Sequence, residues 1–151
     1  MTRLHKIISD IEQTKIATDI GTNKHTQLNK IRLSANGDRG DKKTIELIYK
    51  NKELTSLFSQ NSLTEVPIAG TIQKRFISRR IDRLLIDHAN KHIKILDYKT
   101  DVTPHKHKSK YIIQLNEYAQ LLHQIYPEYK IYAYILWTNN FLLENIPVKI
   151  L

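Results

Sequence analysis

The apolar positions change period along the chain. Up to about residue 35 they fall in helical steps. Leu4, Ile7, Ile8, Ile11 and Ile16 form one loose stripe; a break is expected at Gly21-Thr22, where Thr22 could cap a second helix; His25, Leu28 and Ile31 then recur at three-residue steps. Residues 36–41, holding two of the four glycines, read as a loop. Residues 44–58 read as one or two further helices through Ile45, Leu47, Ile48, Leu54, Leu57 and Phe58. From residue 63 the period drops to two. A strand is expected over 63–68, with Glu65 inside it and Pro67 placing it at an edge or strand end, then a turn at Gly70 and a run from Ile72 to Ile77 leading into a hairpin. Residues 111–126 make the best helix, with Ile112, Leu115, Ala119, Leu122 and Tyr126 as its buried stripe. Pro127 stops it, 129–137 suits a buried strand, and 141–148 returns as a last strand.

This order implies a single α/β (α+β) domain over residues 1–151. It has a mostly helical part to residue 60, then a mixed central sheet with an antiparallel meander, a crossover helix, final strands and flanking helices.

The hairpin carries the candidate chemistry. Its arms, 80–87 and 92–101, flank the polar turn 88–91. With the turn centred on Ala89-Asn90, Ile86 faces Ile93, Leu84 faces Ile95, and the next pair on that face is Asp82 with Asp97; Lys99 points the same way one pleat further on. Two carboxylates opposed at about 5 Å repel by on the order of 3 kcal/mol at an effective dielectric near 20. A divalent cation between them would remove that cost, Lys99 would offset more, and hard cations such as Mg²⁺ choose such oxygen ligands. The alternative is a register shifted by two, with both acids at a wet strand end.

Composition narrows the partners. The chain has 24 Lys+Arg against 15 Asp+Glu, a formal charge of +9 and an isoelectric point near 9.7. This favours a polyanion, nucleic acid first and an anionic membrane surface second. Without cysteine there are no disulfides, Cys-ligated zinc, iron–sulfur clusters or thiol catalysis. No apolar run approaches the length of a membrane span and no signal core opens the chain, so an intracellular, cytoplasmic protein is expected. The basic run 102–110 is either a solvated surface or a phosphate contact. His25, on an apolar helix face, is by itself either a core histidine or a ligand. Gln114 and Tyr118 stack one turn apart.

Five blocks in order resemble the PD-(D/E)XK nuclease superfamily, and more narrowly the C-terminal nuclease domain of the bacterial helicase–nucleases AddA and RecB. Gly21-Thr22-Asn23-Lys24-His25 resembles the Gly-Thr…His helix of that family, and Glu65-Val66-Pro67 its Glu-Val-Pro strand. Ile81-Asp82 resembles its Ile-Asp strand, Asp97-Tyr98-Lys99-Thr100 its Asp-Tyr-Lys-Thr/Ser core, and Gln114 to Tyr118 its Gln-x-x-x-Tyr helix.

The resemblance implies a restriction-endonuclease-like core and Mg²⁺- or Mn²⁺-dependent hydrolysis of DNA phosphodiesters, in repair or recombination. It implies His25, Asp82, Asp97 and the Tyr98 carbonyl as metal ligands. Lys99 would position the attacking water and stabilise developing charge, with Glu65 as an auxiliary acid. Gln114 and Tyr118 would orient the DNA strand and the active-site side chains. Arg79, Arg80, Lys106, Lys108 and Lys110 would add phosphate contacts.

The chain departs from the family pattern at Arg79, where a glycine is usual, and it has no Gly-rich ATPase loop and no cluster-binding cysteines. It would then act as a free-standing nuclease module or as a subunit beside a separately encoded helicase. The alternatives are a catalytically inactive DNA-binding or assembly module left from a larger helicase–nuclease, or a small basic protein of unrelated function.

Overall fold

The computed structural model describes residues 2–150, the side chains of 13–20 and of 104 excepted. Helix α1 (Arg3–Asn29) starts where the Thr2 hydroxyl accepts the His5 N–H. It runs unbroken through Gly21-Thr22, correcting the break expected there. A Cβ built on Gly21 would meet Thr100 Oγ1 at 3.5 Å, an ordinary contact. The glycine lies where α1 passes the end of the third strand, and it does not end the helix. Gly21→Ala is therefore expected to raise stability by about 0.5–1 kcal/mol, the usual gain from removing glycine inside a helix. Chemical denaturation would measure it; a loss of stability would mean the passage is tighter than described.

Leu4, Ile7, Ile8 and Ile11 of the expected stripe are exposed, and the side chain of Ile16 lies outside the described residues. Packing begins one half-helix later. Leu28 and Ile31 are buried, as their spacing with His25 suggested. Helices α2 (Lys42–Tyr49) and α3 (Lys52–Leu57) follow, capped by Asp41 and Asn51.

The sheet has five strands in chain order: β1 (Leu63–Ile72), β2 (Arg75–Asp87), β3 (His92–Lys99), β4 (Lys130–Trp137) and β5 (Leu142–Ile146). All neighbours are antiparallel except β3 and β4. Helix α4 (Lys108–Ile125) makes the connection that this parallel pair requires. The result is the expected mixed α+β fold.

Gly70 is not a turn. β1 continues through it, and the chain reverses at Gln73-Lys74, both at positive φ. A Cβ at Gly70 would lie 2.8 Å from Leu121 Cδ2, so the glycine lets α4 approach the strand.

Two cores sit on opposite faces. Helix α4 covers Ile68, Ile77, Ile81, Leu84, Ile93, Ile95, Ile135 and Trp137. The end of α1 with α2 and α3 covers Leu96, Tyr98, Tyr134 and Leu136. Along β3, Ile93 and Ile95 face α4 while Leu96 and Tyr98 face α1.

Candidate active site

The register expected from the turn is observed. Leu84 faces Ile95 and Ile86 faces Ile93. The β2–β3 ladder stops at Arg83 and Leu96, one step before Asp82 and Asp97. There Asp82 Oδ2 accepts the Tyr98 N–H at 2.9 Å, so a side chain replaces a ladder carbonyl. The β1–β2 ladder skips the same level. Thr64 pairs with Arg83 and Val66 with Ile81, but Glu65 and Asp82 are not paired. Glu65 has φ 53°, a left-handed conformation that costs a glutamate on the order of 1 kcal/mol or more. The pleat resets here: Ile81 and Leu84, three residues apart, both join the α4 core. Asp82 thus occupies a notch where the β2–β3 ladder ends and the β1–β2 ladder is interrupted for one pair.

Asp97 stands beside it, close enough for one carboxyl to hydrogen-bond the other. Asp97 Oδ2 meets Lys99 Nζ at 2.7 Å as an ion pair, yet it is buried and has no aligned hydrogen bond. Lys99 Nζ donates to Gln114 Oε1 at 3.0 Å and lies 4.3 Å above the Tyr111 ring. Gln114 Nε2 donates to the Tyr118 hydroxyl at 2.8 Å, which donates to the Arg80 carbonyl at 3.2 Å. This relay ties α4 to both hairpin arms and holds the ammonium in place. The end of β3 is pinned from β4, where the Thr138 N–H donates to the Lys99 carbonyl at 2.9 Å and Asn139 Nδ2 to the Thr100 carbonyl at 2.9 Å.

His25 comes from α1. Its Nε2 lies 3.0 Å from the Tyr98 carbonyl and its Nδ1 3.9 Å from Asp82 Oδ1. Its side chain is one-third exposed, which removes the core-histidine reading. A carbonyl only accepts, so Nε2 carries the proton in this arrangement; ligation through Nε2 would need it on Nδ1, facing Asp82. Among the described residues, no three His, Cys, Asp or Glu side chains form a group able to hold a metal by themselves. The gathering consists of two carboxyls, with the imidazole and a main-chain carbonyl on their α1 side.

Burial pushes the Asp82 carboxyl up to about 8; the Asp97 charge adds to this, while the Tyr98 amide and Lys99 oppose it. Tyr118 is also raised, first by burial and then by Asp97 and Asp82. Unfolded, Asp82 ionises near pH 4. Between these two values the native state binds more protons than the unfolded one, so stability falls as pH rises through the window and levels off above it. In chelator, the melting temperature is expected to drop from about pH 5 to about pH 8, and Asp82→Asn to make that drop shallower. Equal slopes for the two proteins would refute a raised Asp82.

The other predicted residues divide. Glu65 lies level with Asp82, but its carboxylate accepts from Asn29 at 2.8 Å and lies 3.6 Å from Arg80. Tyr118 is buried, which corrects any direct DNA contact; together with Gln114 it positions Lys99. Arg79 turns to Glu117 of α4 at 3.3 Å and does not crowd the notch. Lys108 is paired with Glu144 at 2.9 Å, while Lys106 and Lys110 are exposed.

Sequence reasoning missed two supports. Asn29 sits one helical turn after His25, a spacing that could have signalled it. Arg83, between Asp82 and an apolar run, is fully buried, a burial nothing local announced. No protein-family model matches the chain, and no curated protein matches it.

Proposed function

We propose that the protein is a metal-dependent DNA nuclease that hydrolyses phosphodiester bonds, with a restriction-endonuclease-like core of the PD-(D/E)XK kind. The observation that carries this reading is the pairing of buried Asp97 with half-buried Asp82 at the strand notch, with the Lys99 ammonium against Asp97. A protein that only needs a stable sheet has no reason to bury two acids side by side.

The donor set fits a hard divalent ion. Asp82, Asp97, the Tyr98 carbonyl and His25 supply mostly oxygen, as Mg²⁺ or Mn²⁺ prefers. His25 would join the set through Nε2 only with its proton on Nδ1, giving up the hydrogen bond to the Tyr98 carbonyl. Asp97 Oδ2 lacks an aligned hydrogen bond, which leaves it able to accept a cation. When bound, the ion would supply Lewis acidity and a water of lowered pKa.

The chain's own groups do the rest. Lys99 sets a positive charge where the phosphorus centre gains negative charge on attack. Gln114 and Tyr118 hold that charge on the line to β2. The net positive surface draws the polyanionic substrate.

A second reading, DNA binding or assembly without cleavage, draws on the same ion pair, because Lys99 already neutralises Asp97 with no metal. One experiment decides between them. Plasmid and end-labelled linear DNA are incubated with Mg²⁺ or Mn²⁺, with chelator, and with Asp97→Ala. Cleavage by wild type alone, lost in chelator, supports the nuclease. Binding without cleavage supports the second reading, and equal cleavage by the variant marks a contaminant.

A further inference from the structure

Past Asp82, β2 leaves β3 and runs on with β1 alone as a two-stranded ribbon ending at Gln73-Lys74. One face of the ribbon is covered. Ile68, Ile77 and Ile81 are buried under α4, and Arg75 and Arg79, on that face by alternation, reach Glu117 of α4 at 3.3 Å each. The other face is bare. Pro67, Ala69 and Thr71 of β1 lie directly across from Arg80, Ser78 and Phe76 of β2, and all six are exposed.

Phe76 is 71% exposed, with only Thr71 opposite and Ser78 next on its own strand face. Small neighbours leave the ring open to a flat partner. A single exposed phenylalanine would mean little. Here it stands in a row that bears Arg80, continues into Lys74 at the turn, and meets an acid at its notch end, where Glu65 pairs with Arg80. The row also begins at the candidate active site. Arg80 lies 3.6 Å from Glu65, whose other oxygen accepts from Asn29, one turn from His25 on α1. Six strand steps separate Phe76 from Asp82, about 20 Å.

We propose that this bare ribbon face is a platform for one single-stranded DNA segment running from the catalytic notch, with a base stacked on Phe76 and phosphates held by Arg80 and Lys74. The direction of the strand rests on the nuclease reading; the platform itself is tested without cleavage. Aromatic faces among cations are how proteins hold single strands whatever their sequence, and a base still paired in a duplex has no free face to offer the ring. The acid at the notch end of the row, Glu65, is already paired with Arg80, and on a chain of net charge +9 the face favours a nucleic acid over a protein partner.

The test measures binding of a labelled oligothymidylate in chelator over a salt series. Phe76→Ala, an exposed change that leaves the fold intact by circular dichroism, should weaken binding about tenfold or more with the salt slope unchanged. Arg80→Gln should weaken it and also lower the slope by about 0.7, one phosphate contact on a single strand. Phe76→Trp should bind like wild type and lose fluorescence when the oligonucleotide is added; Trp137, the only native tryptophan, is buried, and wild type supplies its background signal.

Unchanged affinity in Phe76→Ala, or an unquenched Phe76→Trp, would overturn the platform even if Arg80→Gln binds poorly. A change of oligomeric state in Phe76→Ala with oligonucleotide binding intact would overturn it in favour of a protein interface. Phe76-dependent binding by a protein that never cleaves DNA would sustain the platform and remove the nuclease reading.

Discussion

If the protein is the nuclease proposed above, Lys99→Met is expected to lower DNA cleavage by on the order of a hundred- to a thousandfold, the usual loss when one group stabilising transition-state charge is removed. Methionine keeps the length of the side chain and its packing against Tyr111 but deletes the ammonium that lies 2.7 Å from Asp97. The loss should fall on kcat, with KM little changed, because Lys99 is only 16% exposed and is held inward by Gln114. Asp97→Ala should go further, to background, since it removes a carboxylate that the proposed cation needs. Gln114→Leu should give a smaller loss than Lys99→Met, as it frees the ammonium without removing it. A Lys99→Met protein that cuts like wild type would leave the active-site assignment without its central cation.

Arg83→Leu is expected to cost about 2–5 kcal/mol of stability, because it leaves buried acceptors unpaired at about 1–3 kcal/mol each. The guanidinium is fully buried, and among the described residues no carboxylate pairs with it. Nε donates to the Tyr98 hydroxyl at 2.9 Å, Nη1 to Ser62 Oγ at 2.6 Å, and Nη2 to the carbonyls of Leu28 and Ile31 at 2.9 and 3.2 Å. It also lies 4.1 Å above the Phe58 ring. The negative end of the α1 dipole and the ring face stand in for a counter-ion.

Leucine would take a partner from the tyrosine hydroxyl and the Ile31 carbonyl in the core, while the Leu28 carbonyl keeps the Ile31 N–H at 3.1 Å. Lysine would not rescue it, because an ammonium cannot serve three directions in one plane. Since these bonds fasten the end of α1 to β2, and α1 carries His25, a lesion here should weaken divalent-ion binding as well as stability. Urea denaturation, followed by Mn²⁺ titration of whatever remains folded, measures both. A midpoint within error of wild type would show that the clamp is dispensable.

Some of this could be read without coordinates. The pairing of Leu84 with Ile95 followed from a four-residue turn and strict alternation, because in a hairpin the turn sets the register. The same arithmetic put Asp82 level with Asp97. It could not say that the ladder would open at that level. The opening depends on the left-handed turn at Glu65 and on α1 and α4 arriving from residues far away.

Glycines misled for a related reason. Gly21 and Gly70 read as breaks, yet Gly21 sits inside a continuous helix with space for a Cβ, and Gly70 makes room for Leu121, a neighbour distant in sequence. A missing Cβ is compatible with a turn or with a close approach, and only packing distinguishes them.

Arg83 shows the limit most plainly. By pattern it was one more basic residue on a charged strand. Its burial depends on carbonyls more than fifty residues earlier in the chain and on a hydroxyl across the hairpin. Local period and turn chemistry therefore determined most element types, the hairpin register and the level at which the two acids meet, since those follow from neighbours along the chain, but not the ends of α1 and β1. The notch, the inward turn of Lys99 and the burial of Arg83 were decided by tertiary structure, because hydrogen-bond satisfaction and desolvation depend on which distant groups arrive.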